Sequence, residues 1–211
     1  MTRGVGISGG VKTPPRRTYP PEPLDHDEEL ALLAACGDDS LGLRDRALIA
    51  VMYRAGLRVS EVLALLPKDI DEKRRAVRVL RGKGGRSRTV GLDAGAMAFV
   101  AAWMESRREL GIVDDAPLIC TQMGGALSAG YVRRLLAGLG RRAGIAKRVH
   151  PHGLRHTHAA ELRAEGIDIG IISKQLGHQS IATTVRYLDH IAPWAVVEAI
   201  GGRVWCQSVK E

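Results

Sequence analysis

Apolar residues recur every three to four positions along most of the chain, the period of helices that bury one face. Residues 25–36 open on Asp25, carry acids in the first turn and stop at Gly37, which predicts a short helix. A longer helix opens at Ser40 or Leu41 and ends at Gly56, with Leu43, Ala47, Ile49, Ala50 and Tyr53 on its apolar side. LRVSEVLAL (57–65) predicts a third, stopped by Pro67. From Lys73 the period falls to two. RRAVRVL (74–80) and RSRTVGL (86–92) alternate charged and apolar residues around GKGG (82–85), a β-hairpin with Lys83 at its tip.

Asp93 caps a further helix to about Glu109, with Met97, Val100, Ala101 and Met104 as its stripe. Leu118-Ile119-Cys120 is expected as a third strand before the Gly124-Gly125 turn. Ser128 caps a helix that runs to Gly144. Pro151 stands at the first position of the next, which Gly166 ends. Asp168 opens another, closed by Gly177, and Ser180 caps the helix carrying Tyr187. Residues 1–24 have no period and read as a flexible basic arm. Residues 25–190 form the main domain, and 191–211 hold an apolar helical segment and a loose tail. The expected fold is α+β, mainly helical, with a small three-stranded antiparallel sheet.

Composition narrows this. Hydrophobic residues make up 45% but aromatics only 4%, so the core is aliphatic, which favours packed helices over a β-sandwich. The net charge of +8 and pI near 9.8 point to a polyanion, double-stranded DNA being the expected partner. Cys36, Cys120 and Cys206 are too scattered for a disulfide framework and suit a reducing cytoplasm. No apolar run is long enough for a membrane span, so no membrane partner is expected.

The basic residues are not evenly spread. Between Glu72 and Arg88 there are eight bases and one acid, a ribbon suited to a DNA backbone through Arg81, Arg86 and Arg88. Arg133, Arg134, Arg141 and Arg142 give the 128–144 helix a basic side. Arg58 and Glu61 lie three apart at a helix start, as do His152 and Arg155 at another. His178 follows Gly177 in a turn. The histidines at 150, 152, 156 and 158 raise a zinc reading, but no Cys lies near them and the H-E-x-x-H pattern is missing, so no metal and no cofactor are expected. Guanidiniums and imidazoles are the donors that match a phosphodiester transition state, at roughly 3 kcal/mol for each well-placed group.

GLRVSE (56–61), the Lys83 hairpin, HGLRHTHA (152–159), LGH (176–178) and TTVRY (183–187) together resemble the tyrosine recombinases of the phage integrase and Xer type, over about residues 26–190. The resemblance implies a DNA strand transferase of the integrase, invertase or resolvase kind. Arg58 and Arg155 would clamp the scissile phosphate, and His152 and His178 would hydrogen-bond it. Lys83 would protonate the leaving 5′-oxygen, Tyr187 would attack to give a 3′-phosphotyrosyl link, and Glu61 would buttress the site. It further implies a homotetramer on DNA, accessory DNA-bending or directionality proteins and nucleoid association; relatives often exchange a C-terminal helix between protomers, and the apolar 191–200 run of the 191–211 segment fits either that exchange or a fold back on its own core. Relatives commonly carry an N-terminal helical clamp domain, for which about 25 residues leave no room, so the chain is read as naturally short or truncated. Two other readings stand beside this one: a type IB topoisomerase-like relaxer, and a DNA-binding accessory protein with an idle catalytic set.

Overall fold

A computed structural model describes residues 22–80, 87–178 and 180–191, together with 197, 200 and 201. Eight α-helices and a small sheet occupy these residues: α1 His26–Ala34, α2 Ser40–Arg54, α3 Val59–Val62, β1 Ile70–Asp71, β2 Ala76–Val79, β3 Arg88–Gly91, α4 Ala94–Glu109, α5 Ala129–Arg142, α6 Pro151–Ala164, α7 Ile169–Leu176 and α8 Ile181–Ile191. The expected caps at Asp25, Asp93 and Ser128 accept from the N–H groups of Glu28, Ala96 and Tyr131; α2 is capped by Asp39, which accepts from Gly42.

The core lies around α2, of which ten of fifteen residues are buried. Leu48, Met52, Leu57 and Trp103 are fully covered, each such side chain contributing about 2 kcal/mol of burial. α4 packs along α2 through Ala96, Met97, Val100 and Trp103, so the stripe runs through Trp103, with Ala101 and Met104 only half-buried. A second, smaller cluster of Ala159, Ile172, Leu176 and Leu188 joins α6, α7 and α8.

The sheet is antiparallel in the order β1-β2-β3, with Val77 opposite Val90 and Val79 opposite Arg88. Its third strand is Ile70–Asp71 and not Leu118-Ile119-Cys120, as the apolar run suggested. The reason lies in buried Arg107, whose guanidinium donates to the carbonyls of Val113, Ala116, Pro117 and Leu118. Trp103 donates to the Leu118 carbonyl as well, at 2.7 Å. With the Leu118 carbonyl and those just before it taken by side chains, this stretch forms only an isolated bridge from Cys120 to Ala126.

Two other elements are shorter than their patterns. α3 closes after one turn at Val62, and Pro67–Asp69 form a 3-10 turn. Lys73 and Arg74 lie in a turn with Arg75 at φ 50°, so β2 begins only at Ala76. Residues 1–21 of the arm, the hairpin tip with Arg81, Lys83 and Arg86, and most of 192–211, Cys206 included, lie outside the described residues.

Candidate active site

Arg58 is the residue before α3, and its extended backbone turns the chain into that helix. Glu61, one turn on, reaches back to the Arg58 N–H at 2.9 Å and pairs with the Arg58 guanidinium at 3.0 Å. This is no exposed ion pair: Glu61 is only 4% exposed. Its two oxygens also accept a two-pronged pair of hydrogen bonds from Arg88 of β3, both 2.9 Å. Burial alone would raise the Glu61 pKa, but the bonds from Arg88 and from the Arg58 backbone outweigh it and hold the carboxyl at about 2. Arg88, expected to face DNA, is thus turned inward, its side chain 14% exposed.

α6 supplies the next group. Its cap is His150, whose Nδ1 accepts from the Gly153 N–H at 2.6 Å. His152 and Arg155 follow on one face, as their spacing required. Arg155 is 2% exposed and anchored at both ends, donating to the carbonyls of Gly56 and Leu176. Burial and the nearby Arg58 lower its pKa to about 10, so it stays a cation at neutral pH. A third contact, 3.3 Å, runs to Nε2 of His178.

His178 sits just past the left-handed Gly177 that ends α7. A guanidinium only donates, so Nε2 accepts, and a neutral ring then carries its proton on Nδ1 toward Thr184 Oγ1 at 2.9 Å. Burial and Arg155 hold His178 at a pKa of about 4, which keeps it neutral. Burial and Arg155 also lower His152.

Tyr187, on α8, closes the group. Its ring stacks on His156 at 4.9 Å and meets His178 edge-on at 5.3 Å, with His152 at 6.3 Å. The hydroxyl is covered and has no partner at hydrogen-bond geometry. Burial raises its pKa to about 12; Arg155 is near enough to oppose the shift but not to bond the oxygen squarely.

Five of the six expected catalytic residues therefore stand together: Arg58, His152, Arg155, His178 and Tyr187. Lys83 lies outside the described residues, as do Arg81 and Arg86. The basic side of α5 divides. Arg133 opens toward Arg58, His152 and Arg155, whereas Arg134, Arg141 and Arg142 line a separate hollow, Arg142 bonding the Ala35 carbonyl at 2.9 Å. Positions 133 and 134 differ by about 100° around a helix, so one stripe cannot hold both. Sequence reasoning missed His156 as a partner of Tyr187, though its four-residue spacing from His152 was a usable signal. Thr184 and Arg88 gave no such signal. Among the described residues no cluster of three or more His, Cys, Asp or Glu could hold a metal.

The sequence profile described as "Phage integrase family" matches residues 22–192. Tyrosine recombinase XerC of Vibrio cholerae serotype O1 is 33% identical over 178 residues, 84% of this chain and 57% of that protein. XerC of Xanthomonas axonopodis pv. citri is 40% identical over 167 residues, 79% and 53% of the two chains. This chain thus spans little more than half the length of these curated relatives. The crystal structure of XerA recombinase superposes with a TM-score of 0.77 at 30% identity, covering 92% of this chain and 68% of that one. XerH bound to a palindromic difH substrate, in a post-cleavage complex, gives 0.71 at 27% identity, covering 87% and 54%. The mainly helical fold with its small sheet is that of these recombinases, and the chain belongs to the phage integrase family.

Proposed function

We propose that this chain is the catalytic part of a site-specific recombinase that cuts and rejoins double-stranded DNA through Tyr187. The observation that carries the reading is the convergence of Arg58, Arg155, His152 and His178 around one phenol. Tyr187 gives up its phenolic proton to an imidazole of the site as Oη attacks the scissile phosphorus; the new bond is P–Oη and the bond broken is P–O5′. Charge grows on the nonbridging oxygens, where two guanidiniums and the His152 imidazole stand as donors, while His178 braces Arg155 through Nε2. Lys83, which the sequence pattern puts between the two basic strands, gives its proton to the departing 5′-oxygen. The 5′-hydroxyl of a partner strand then attacks the phosphotyrosine and releases Tyr187. Bond energy is kept in the link, so the sequence of steps needs no nucleotide hydrolysis. Glu61 and Arg88 act through Arg58, holding it at the phosphate.

The working unit in this reading is a homotetramer on DNA in the cytoplasm, associated with the nucleoid and assisted by accessory bending or directionality proteins. The XerH complex with its substrate supports the DNA part of the reading. The test is a nicked suicide duplex. Wild type should form a covalent adduct, and Tyr187→Phe should bind without forming one. An adduct that persists in Tyr187→Phe overturns the assignment. Relaxation of a supercoiled plasmid irrespective of sequence would point to same-strand religation in place of strand exchange.

A further inference from the structure

The hollow at the candidate site, about 370 Å³, is lined by more groups than those assigned to the scissile phosphate. Arg58, His152 and Arg155, the groups assigned above to the scissile phosphate, line it together with three further cationic or donor groups, Arg133, Arg148 and His150. Among the described residues no carboxylate lines it.

The packing explains why these three groups point there. On α5, positions 133, 137 and 140 fall on one stripe. Gly140 lets that stripe press against the segment before α6: an added Cβ would stand 2.6 Å from a Val149 methyl. The neighbours on this segment divide their work. Lys147 is engaged with Asp25 and Glu28 and with the Pro23 carbonyl. Arg148 and Arg133 are exposed and make no salt bridge among the described residues, unlike Arg44, Arg46, Arg54, Arg58 and Arg88. His150 is fixed as a donor. Its Nδ1 accepts from Gly153, so a neutral ring carries its proton on Nε2. Burial lowers the His150 pKa, and the adjacent Arg148 lowers it further, which keeps that neutral form.

We infer that Arg133, Arg148 and His150 form a second phosphate seat, which holds a backbone phosphate next to the scissile one and so fixes the register of the strand before cleavage. The inference rests on the strand-cutting reading for its naming of the neighbouring phosphate. Arg148 and Arg133 are positioning residues: they bind DNA and do not touch the reacting atoms.

The experiment uses the full chain and a duplex selected from a random-sequence pool for binding, its scissile phosphate located by the Tyr187 adduct. Arg148→Ala should make the log–log salt dependence of binding shallower by about 0.9, the value for one lost phosphate contact. At saturating DNA its adduct should form at more than one phosphate where wild type uses a single one, and Arg148→Lys should restore both the slope and the single position. A neutral methylphosphonate at one of the two phosphates flanking the scissile one should weaken wild type more than Arg148→Ala. If both proteins weaken equally at both flanking positions, or the salt slopes coincide, the seat does not exist. If no duplex ever yields an adduct but the slopes still differ, the strand-cutting reading fails while Arg148 remains a phosphate contact.

Discussion

Arg88 lies directly beneath Gly177: a Cβ added at Gly177 would stand 2.7 Å from the Arg88 Cζ and Nε. The same guanidinium grips Glu61, which in turn holds Arg58. One buried side chain thus sets both the turn bearing His178 and the helix start bearing Arg58. Glycine at 177 meets two demands at once, the left-handed φ of 65° and the absence of a Cβ above Arg88.

Gly177→Ala should therefore cost more than its backbone strain of about 1–2 kcal/mol. Gly166, at φ 75° with open space around its Cβ position, is the control. Gly166→Ala should show the strain alone, and Gly177→Ala should add lost adduct formation as His178 and Arg58 shift. Chemical denaturation of both variants, with an adduct assay, checks this. Equal behaviour would mean that the Arg88 contact is slack.

Glu61→Gln leaves two guanidiniums facing a neutral amide in a buried place. A loss of about 3 kcal/mol is expected at pH 7, as for removing one partner of a buried pair. The carboxyl is held near 2 when folded, against an ordinary value of 4.5. A lowered folded pKa gives stability that is present above 4.5 and lost as the pH falls toward 2. The gap between wild type and variant in denaturant midpoint should then narrow from about pH 5 downward and close only as the pH nears 2. His158, buried and held at about 4, also loses stability on acidification, but equally in both proteins.

The Tyr53 hydroxyl touches two carboxylates, Glu29 of α1 and Glu161 of α6. A phenol has one proton to donate, so two such contacts require a second proton within the group. Burial and the neighbouring Glu161 raise Glu29 to about 8, which keeps that proton in place. A carboxyl whose folded pKa is raised loses stability as the pH climbs from about 4.5 toward 8. The melting temperature should be higher at pH 6 than at pH 8.5, and Glu29→Gln should flatten this difference. A wild-type curve with no such fall would place the proton elsewhere.

Tyr187→Phe should leave the fold intact or stabilise it by about 1 kcal/mol, because it removes a covered hydroxyl that has no partner. The stacking on His156 is kept. A thermal melt of the adduct-deficient variant reads this directly. A clear drop in stability would reveal a hydrogen bond to the phenol.

The sequence by itself determined the helices, their caps and the local pairs, because each depends on residues within one or two turns. Arg58 with Glu61, and His152 with Arg155, were legible as face-sharing neighbours, and Gly177 as a helix stop. The hairpin alternation located Val77, Val79 and Val90 in the core. Tertiary packing decided what meets across elements. Whether Glu61 would be an exposed partner or a buried hinge depended on Arg88, 27 residues away. Whether Leu118-Ile119-Cys120 would join the sheet depended on Arg107 and Trp103, which claim the Leu118 carbonyl. Arg133 and Arg134 are adjacent in the chain yet serve different surfaces. Spacing along a helix fixes angles around its own axis, but the distance between two helices is set by the summed shapes of the side chains between them, and that sum is written nowhere locally.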